Sequence, residues 1–170
     1  MKALVMYESM FGNTETVARA VADGMASQFE VTLADVRTMP RALGMDVIVL
    51  GGPTHTFGLS RPKTREDAVR QGASHENAVE VGLREWLDTA PPLTGIDAAA
   101  FDTKVDKPLT GSAGRKADRR LRHLGCRMLV PVESFHVGST PGPLADGERE
   151  RARRWGEALA AAAVASLHRI

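Results

Sequence analysis

Four consecutive aliphatic residues, Val47-Ile48-Val49-Leu50, limit the possible folds more than any other stretch of this chain. Strand side chains alternate between the two faces of a sheet, so an unbroken β-branched run is apolar on both. Such a strand needs cover above and below, and a parallel sheet with crossover helices supplies it. The rest of the chain follows suit. Strand-like runs at Lys2–Tyr7, Val31–Asp35, Asp46–Gly51, Ala98–Asp102 and Arg127–Phe135 alternate with helical patterns at Thr14–Gln28, Glu76–Thr89, Arg115–Leu124 and Gly147–Leu167. This predicts an α/β fold: an open, doubly wound sheet of five parallel strands, order 2-1-3-4-5, with helices on both faces. Residues 1–170 read as a single domain. In such a sheet, ligands sit beyond the carboxyl ends of the strands where the order reverses, here the loops after strands 1, 3 and 4.

The first of these loops, Ser9-Met10-Phe11-Gly12-Asn13-Thr14, lies between an apolar strand and a helix start. Backbone N–H groups of a first helical turn have no intrahelical partner and point at whatever anion lies ahead of them. The Ser9, Thr14 and Thr16 hydroxyls add donors without adding charge. The alternative is an ordinary turn capped by Asn13 that needs no ligand. No Lys follows the glycine, so this is not the nucleotide P-loop, and the three-glycine dinucleotide pattern is missing too. Instead Ser-x-x-Gly-Asn-Thr-Glu, opening at residue 9 directly after the first strand, resembles the phosphate loop of flavodoxins. The resemblance implies a flavodoxin-like sheet and noncovalent FMN, with its phosphate on Ser9, Met10, Phe11, Gly12, Asn13 and Thr14.

The second loop reads Thr54-His55-Thr56-Phe57-Gly58 after two glycines. A large apolar residue at a loop tip needs something flat to cover, or it folds back into the core. Thr-Phe-Gly is similar to the Thr-aromatic-Gly of flavodoxins. That match implies that Phe57 stacks on the flavin and that the Gly58 peptide flips toward it on reduction. His55 either donates to the ring, with a proton available during reduction, or is a hydrogen-bonding loop residue. The third loop supplies Phe101, Asp102, Thr103 and Lys104, at the position where family members bind the pyrimidine edge. It lacks the usual second aromatic and carries Lys104 and Lys107 instead, which either favour an anionic reduced flavin or point into solvent.

Composition narrows the function classes. The single cysteine, Cys126, excludes an internal disulfide framework and reads as a small core residue. No His spacing suits a metal, and no basic stripe interleaves with aromatics as nucleic-acid binding requires. No apolar run reaches the roughly 18 residues of a membrane span, and no leader is visible, so the expected compartment is the cytoplasm. With 22 basic and 21 acidic residues the net charge is +1, whereas electron-carrier flavodoxins are typically strongly acidic. The hydrophilic stretch Leu59–Asn77 carries Arg61, Lys63, Arg65 and Arg70; it reads either as a lid or rim over the flavin, its arginines suited to an acidic partner or the 2′-phosphate of NADPH, or as a solvated excursion. Gly138–Gly147 is a second long loop, read as family decoration or an oligomer contact. The expected function is an FMN-binding redox protein carrying electrons between a reductase and an acceptor protein. An FMN-dependent NAD(P)H:quinone-type oxidoreductase and a non-catalytic flavin-binding module are the alternatives.

Overall fold

The computed structural model describes residues 1–55, 58–73 and 80–169. Strand β1 (Lys2–Tyr7) leads into α1 (Asn13–Met25), β2 (Glu30–Asp35) and a 3-10 turn at Val36–Thr38. Then come β3 (Val47–Pro53), α2 (Pro62–Arg70), α3 (Leu83–Thr89) and β4 (Asp97–Val105). Helix α4 (Ala113–His123), the short β5 (Arg127–Met128), β6 (Glu133–Val137) and α5 (Glu148–Leu167) follow. Every ladder between them is parallel, in the order β2-β1-β3-β4-β5, with β6 also on β4.

The strand pattern explains the two layers of helix. In β1, Ala3, Val5 and Tyr7 pack with α1 and α5, while Leu4 and Met6 face α3 and α4. The run at 47–50 divides the same way, Val47 and Val49 to one face and Ile48 and Leu50 to the other. All four are fully buried, as a doubly covered central strand requires. Phe101, Phe135 and Trp155 meet edge to face with centroids 5.9 Å apart, closing the α5 side.

Several boundaries differ from expectation. The fifth strand is split: β5 pairs with the start of β4 and β6 with its end, and the gap contains Pro131, which has no N–H for a ladder. Strand β4 runs on to Val105, so Thr103 and Lys104 are strand residues rather than loop residues. Helix α1 starts at Asn13 and stops at Met25. Helix α4 starts two residues before the expected Arg115, because Ser112 Oγ accepts from Arg115 N at 3.0 Å and caps it. Of the expected helix Glu76–Thr89, residues 76–79 lie outside the described residues, and α3 covers Leu83–Thr89. Helix α2 was not expected. Its polar composition conceals a usable start signal, Pro62 at the first helical position and a Thr64 hydroxyl accepting from Arg61 N.

Helices α1 and α5 touch backbone to backbone. A Cβ on Gly156 would lie 2.3 Å from the Val21 carbonyl oxygen, and one on Gly24 2.1 Å from that of Arg153. Neither neighbour is a side chain that can swing aside. Gly156→Ala is therefore expected to lose about 1–3 kcal/mol in urea unfolding although alanine is the better helix former. Unchanged stability would show that the two helices separate easily.

Candidate functional site

The carboxyl ends of β1, β3 and β4 surround an open cleft of about 290 Å³ that meets the start of α1. Ser9, Met10, Phe11, Asn13, Thr14, Thr54, His55, Thr103 and Lys104 line it, so all three expected loops converge there. At the start of α1, Gly12 occupies the N-cap with φ +90°, a conformation glycine adopts without strain, and no side chain caps the helix. The anticipated Asn13 cap is not what forms: Asn13 is the first helical residue, and its Nδ2 donates to the Pro141 carbonyl at 3.2 Å. Ser9 Oγ accepts from Gly12 N at 3.1 Å, which leaves its own proton to give away. Thr14 Oγ1 lies 2.7 Å from Thr103 Oγ1 in a buried pair. One hydroxyl donates to the other, so one proton of the pair stays available to a ligand. Thr16, read as a third hydroxyl donor, instead gives its proton to the Gly12 carbonyl at 3.0 Å.

The second loop is pinned at its ends. His55 and Gly58 exchange both backbone hydrogen bonds at 2.8 Å, and Thr56 and Phe57 lie outside the described residues. The Gly58 carbonyl is thus held by His55 N, and the peptide flip would have to break that bond. Thr54 Oγ1 accepts from Ala113 N at 3.0 Å, tying the loop to α4. Burial first, then the Arg65 charge, pulls the His55 imidazole down from its ordinary 6.5 to about 4, against a hydrogen bond to the Thr64 backbone. Its ring is neutral at pH 7. The unfolded chain protonates this group first, so its contribution to stability falls as pH drops from 6.5 toward 4. Replacing His55 by Gln is expected to flatten the stability–pH curve in that window, measured by urea unfolding. An unchanged slope would contradict the buried neutral imidazole.

Two residues of the third loop are placed elsewhere. Phe101 is in the core, its ring filling the space above Gly51, where a Cβ would lie 1.9 Å from it. Asp102 is buried beneath α4 and accepts from Ser112 Oγ at 2.5 Å and Gly114 N at 2.9 Å. Adjacent on β4, they point to opposite faces and lie short of the strand's carboxyl end at Val105, so helices cover both and neither reaches the cleft. Lys104 does reach it, with Nζ 3.4 Å from the Gly111 carbonyl.

Other residues of the site were missed. Helix α2 contributes Thr64, Asp67, Ala68 and Gln71, so the insertion, one reading of which is a lid or rim, forms a wall of the cleft and packs Ala68 on Met10. Val137 at the end of β6 and Thr140 in the loop after it also line the cleft; that loop, read as decoration or an oligomer contact, is fastened to Asn13 through Pro141. Arg65 is not a surface receptor for an acidic group: it is fully buried and pairs with Glu85. Its Nη1 donates to Ser60 Oγ at 2.9 Å, Ser60 donates on to Glu8 Oε1 at 2.8 Å, and Leu83 N donates to the same oxygen at 2.9 Å. Glu8 immediately precedes Ser9, so this network anchors the anion cradle to α2 and α3. A Glu directly after an apolar strand, with an Arg-rich insertion downstream, was the only sequence hint of it. Burial pushes the Cys126 thiol up to about 11, consistent with an inert core residue. Among the described residues, no cluster of His, Cys, Asp or Glu could hold a metal, and no helix is long and apolar enough to cross a membrane.

Comparison with known proteins agrees with this geometry. The family model for flavodoxin matches residues 5–155. Among solved structures, oxidised flavodoxin 2 from Bacillus cereus is similar at 24% identity and a TM-score of 0.70, over 95% of this chain and 99% of that one. A flavodoxin from the domain Archaea gives 20% identity and a TM-score of 0.69, over 96% and 99%. Oxidised flavodoxin 1 from Bacillus cereus gives 21% and 0.67, over 96% and 97%. The sheet order, the uncapped helix start behind β1 and a match over most of the length lead to one conclusion: this chain belongs to the flavodoxin family, the FMN-binding flavoproteins of this fold.

Proposed function

We propose that the protein carries electrons between a reductase and an acceptor protein in the cytoplasm, using FMN held in this cleft. The observation that carries the reading is the uncapped start of α1 with the Ser9 and Thr14 hydroxyls beside it, a neutral donor set suited to a phosphate. Ser9, Thr14 and the N–H groups of the first turn would hold that phosphate, while Thr54, Thr103 and Lys104 face the remainder of the cofactor. FMN, when bound, supplies the ability to take up and release electrons, and the chain supplies position and field. Lys104 adds positive potential to the cleft and favours negative charge there.

Two features that suggested an NAD(P)H-dependent reductase lose weight on geometric grounds. His55 is neutral and tied to backbone, so it offers no acidic proton at pH 7. Arg65 is enclosed in its own ion network and cannot meet a 2′-phosphate. The FMN-loaded protein is therefore expected to leave NADPH and a small quinone unreacted alone, and to turn over once a flavodoxin reductase is added. Rapid NADPH consumption without a helper would overturn the carrier reading in favour of the reductase.

A further inference from the structure

Helix α4 is far richer in positive charge, for its length, than the rest of the chain. It contains Arg115, Lys116, Arg119, Arg120 and Arg122 against a single carboxylate, Asp118, in a chain whose net charge is +1. Outside this helix, acidic residues outnumber basic ones. The buried face is Ala113, Gly114, Ala117 and Leu121, and the basic residues lie on the opposite side. Arg120 is paired with Asp88, and Arg122 with Asp118 at 2.8 Å. Arg115, Lys116 and Arg119 are exposed and have no carboxylate partner among the described residues.

Folding alone does not favour this arrangement. Arg115 and Lys116 lie in the first turn, where the helix dipole disfavours cations. Arg115 and Arg119, like Lys116 and Arg120, are like charges four residues apart, which repel. An opposing acidic surface would relieve both penalties.

The patch also adjoins the candidate site. The aliphatic stem of Lys116 lies over Gly58, whose added Cβ would be 3.4 Å from its Cγ, at the end of the second loop. Arg84 extends the patch from α3, its guanidinium held by the Ser60 and Leu59 carbonyls at 3.2 and 3.1 Å.

Resting on the carrier reading, we propose that the exposed face of α4, with Arg84 beside it, is the docking surface for an acidic redox protein. Charge of one sign beside the cleft would steer such a partner to the place where electrons leave. The acidic excess elsewhere disfavours a long polyanion that would run beyond the helix.

The test is an amide-shift titration of the ¹⁵N-labelled protein with an acidic [2Fe–2S] ferredoxin, with basic cytochrome c, duplex DNA and anionic phosphatidylserine vesicles as comparison probes. The expected result is shifts confined to α4 and its neighbours with ferredoxin, weakened at least about tenfold between low and physiological salt. Arg115→Glu with Arg119→Glu should abolish them while leaving FMN affinity and thermal stability intact, because both side chains are exposed without a carboxylate partner among the described residues and an acidic residue at 115 suits the first turn. Absent ferredoxin binding, shifts elsewhere, equal binding by the double variant, or tighter binding of cytochrome c, DNA or vesicles would each overturn the proposal. FMN titration is scored separately: docking at α4 without FMN binding removes the carrier reading only, and FMN binding without docking removes this proposal only.

Discussion

Replacing Arg65 by Met is expected to destabilise the protein by about 3–5 kcal/mol at pH 7, the range for stranding a buried charge. For a chain of this size that lowers the melting temperature by on the order of 10 °C. Arg65 is fully buried, its Nη1 lies 3.8 Å from Glu8 Oε1, and it reaches Glu8 through Ser60 as well. Burial raises the Glu8 carboxyl above its usual range, and the Ser60 and Leu83 donors and the Arg65 charge act against that rise. With Met at 65 the last of these is lost and the group rises further. A raised carboxyl is neutral at low pH and favours the fold there, and that advantage is lost as pH climbs through its folded value. The defect of Arg65→Met should therefore be largest at neutral pH and shrink on acidification. Adding Glu8→Gln should recover much of it, since the second substitution removes the stranded charge. Gly82→Ala tests the same network sterically, because its Cβ would lie 1.9 Å from Glu8 Oε1 and 2.3 Å from Arg65 Nη1. Urea unfolding of the variants across pH measures all of this. A loss below 1 kcal/mol for Arg65→Met, by the same scale, would mean that the network adds little.

Replacing Thr14 by Val should weaken FMN binding by roughly 10- to 100-fold, the worth of one hydrogen bond to a charged group. Valine keeps the shape and buries no new volume, so the change isolates the hydroxyl. It also leaves Thr103 Oγ1 without its 2.7 Å partner, adding about 1 kcal/mol of instability to watch for in unfolding controls. Thr16→Val is the matched control. That hydroxyl is committed to the Gly12 carbonyl, so its loss should leave FMN affinity nearly unchanged. Equal affinities for the two variants would mean the phosphate does not lie between Ser9 and Thr14.

Sequence reasoning succeeded where one local signal decides the outcome. Val47–Leu50 can only be a doubly covered strand, and Ser9–Thr14 can only be a turn into a helix. It failed where distant residues decide. Phe101 and Asp102 looked available because β4 was ended too early; three more strand residues move its carboxyl edge on to Val105 and leave these two inside the sheet, beneath the helices. Arg65 looked like a surface charge because nothing local reveals that Glu8, Ser60 and Glu85 enclose it. Helix α2 was hidden by its polar composition, since its apolar contact is a narrow edge, Ala68 and Val69 on Met10 and Phe11, and its other buried residue is the charged Arg65. Thr140 reaches the site through the Asn13–Pro141 contact, 128 residues apart in the chain, which no window of sequence can show.

Binding of FMN at the start of α1 is tested most directly by titrating the cofactor-free protein with FMN and following quenching of the flavin fluorescence. Saturable quenching at one FMN per chain is expected, weakened about 10-fold or more by Thr14→Val, further by Ser9→Ala in addition, and not by Thr16→Val. No quenching, or quenching equally strong in all three variants, would contradict it.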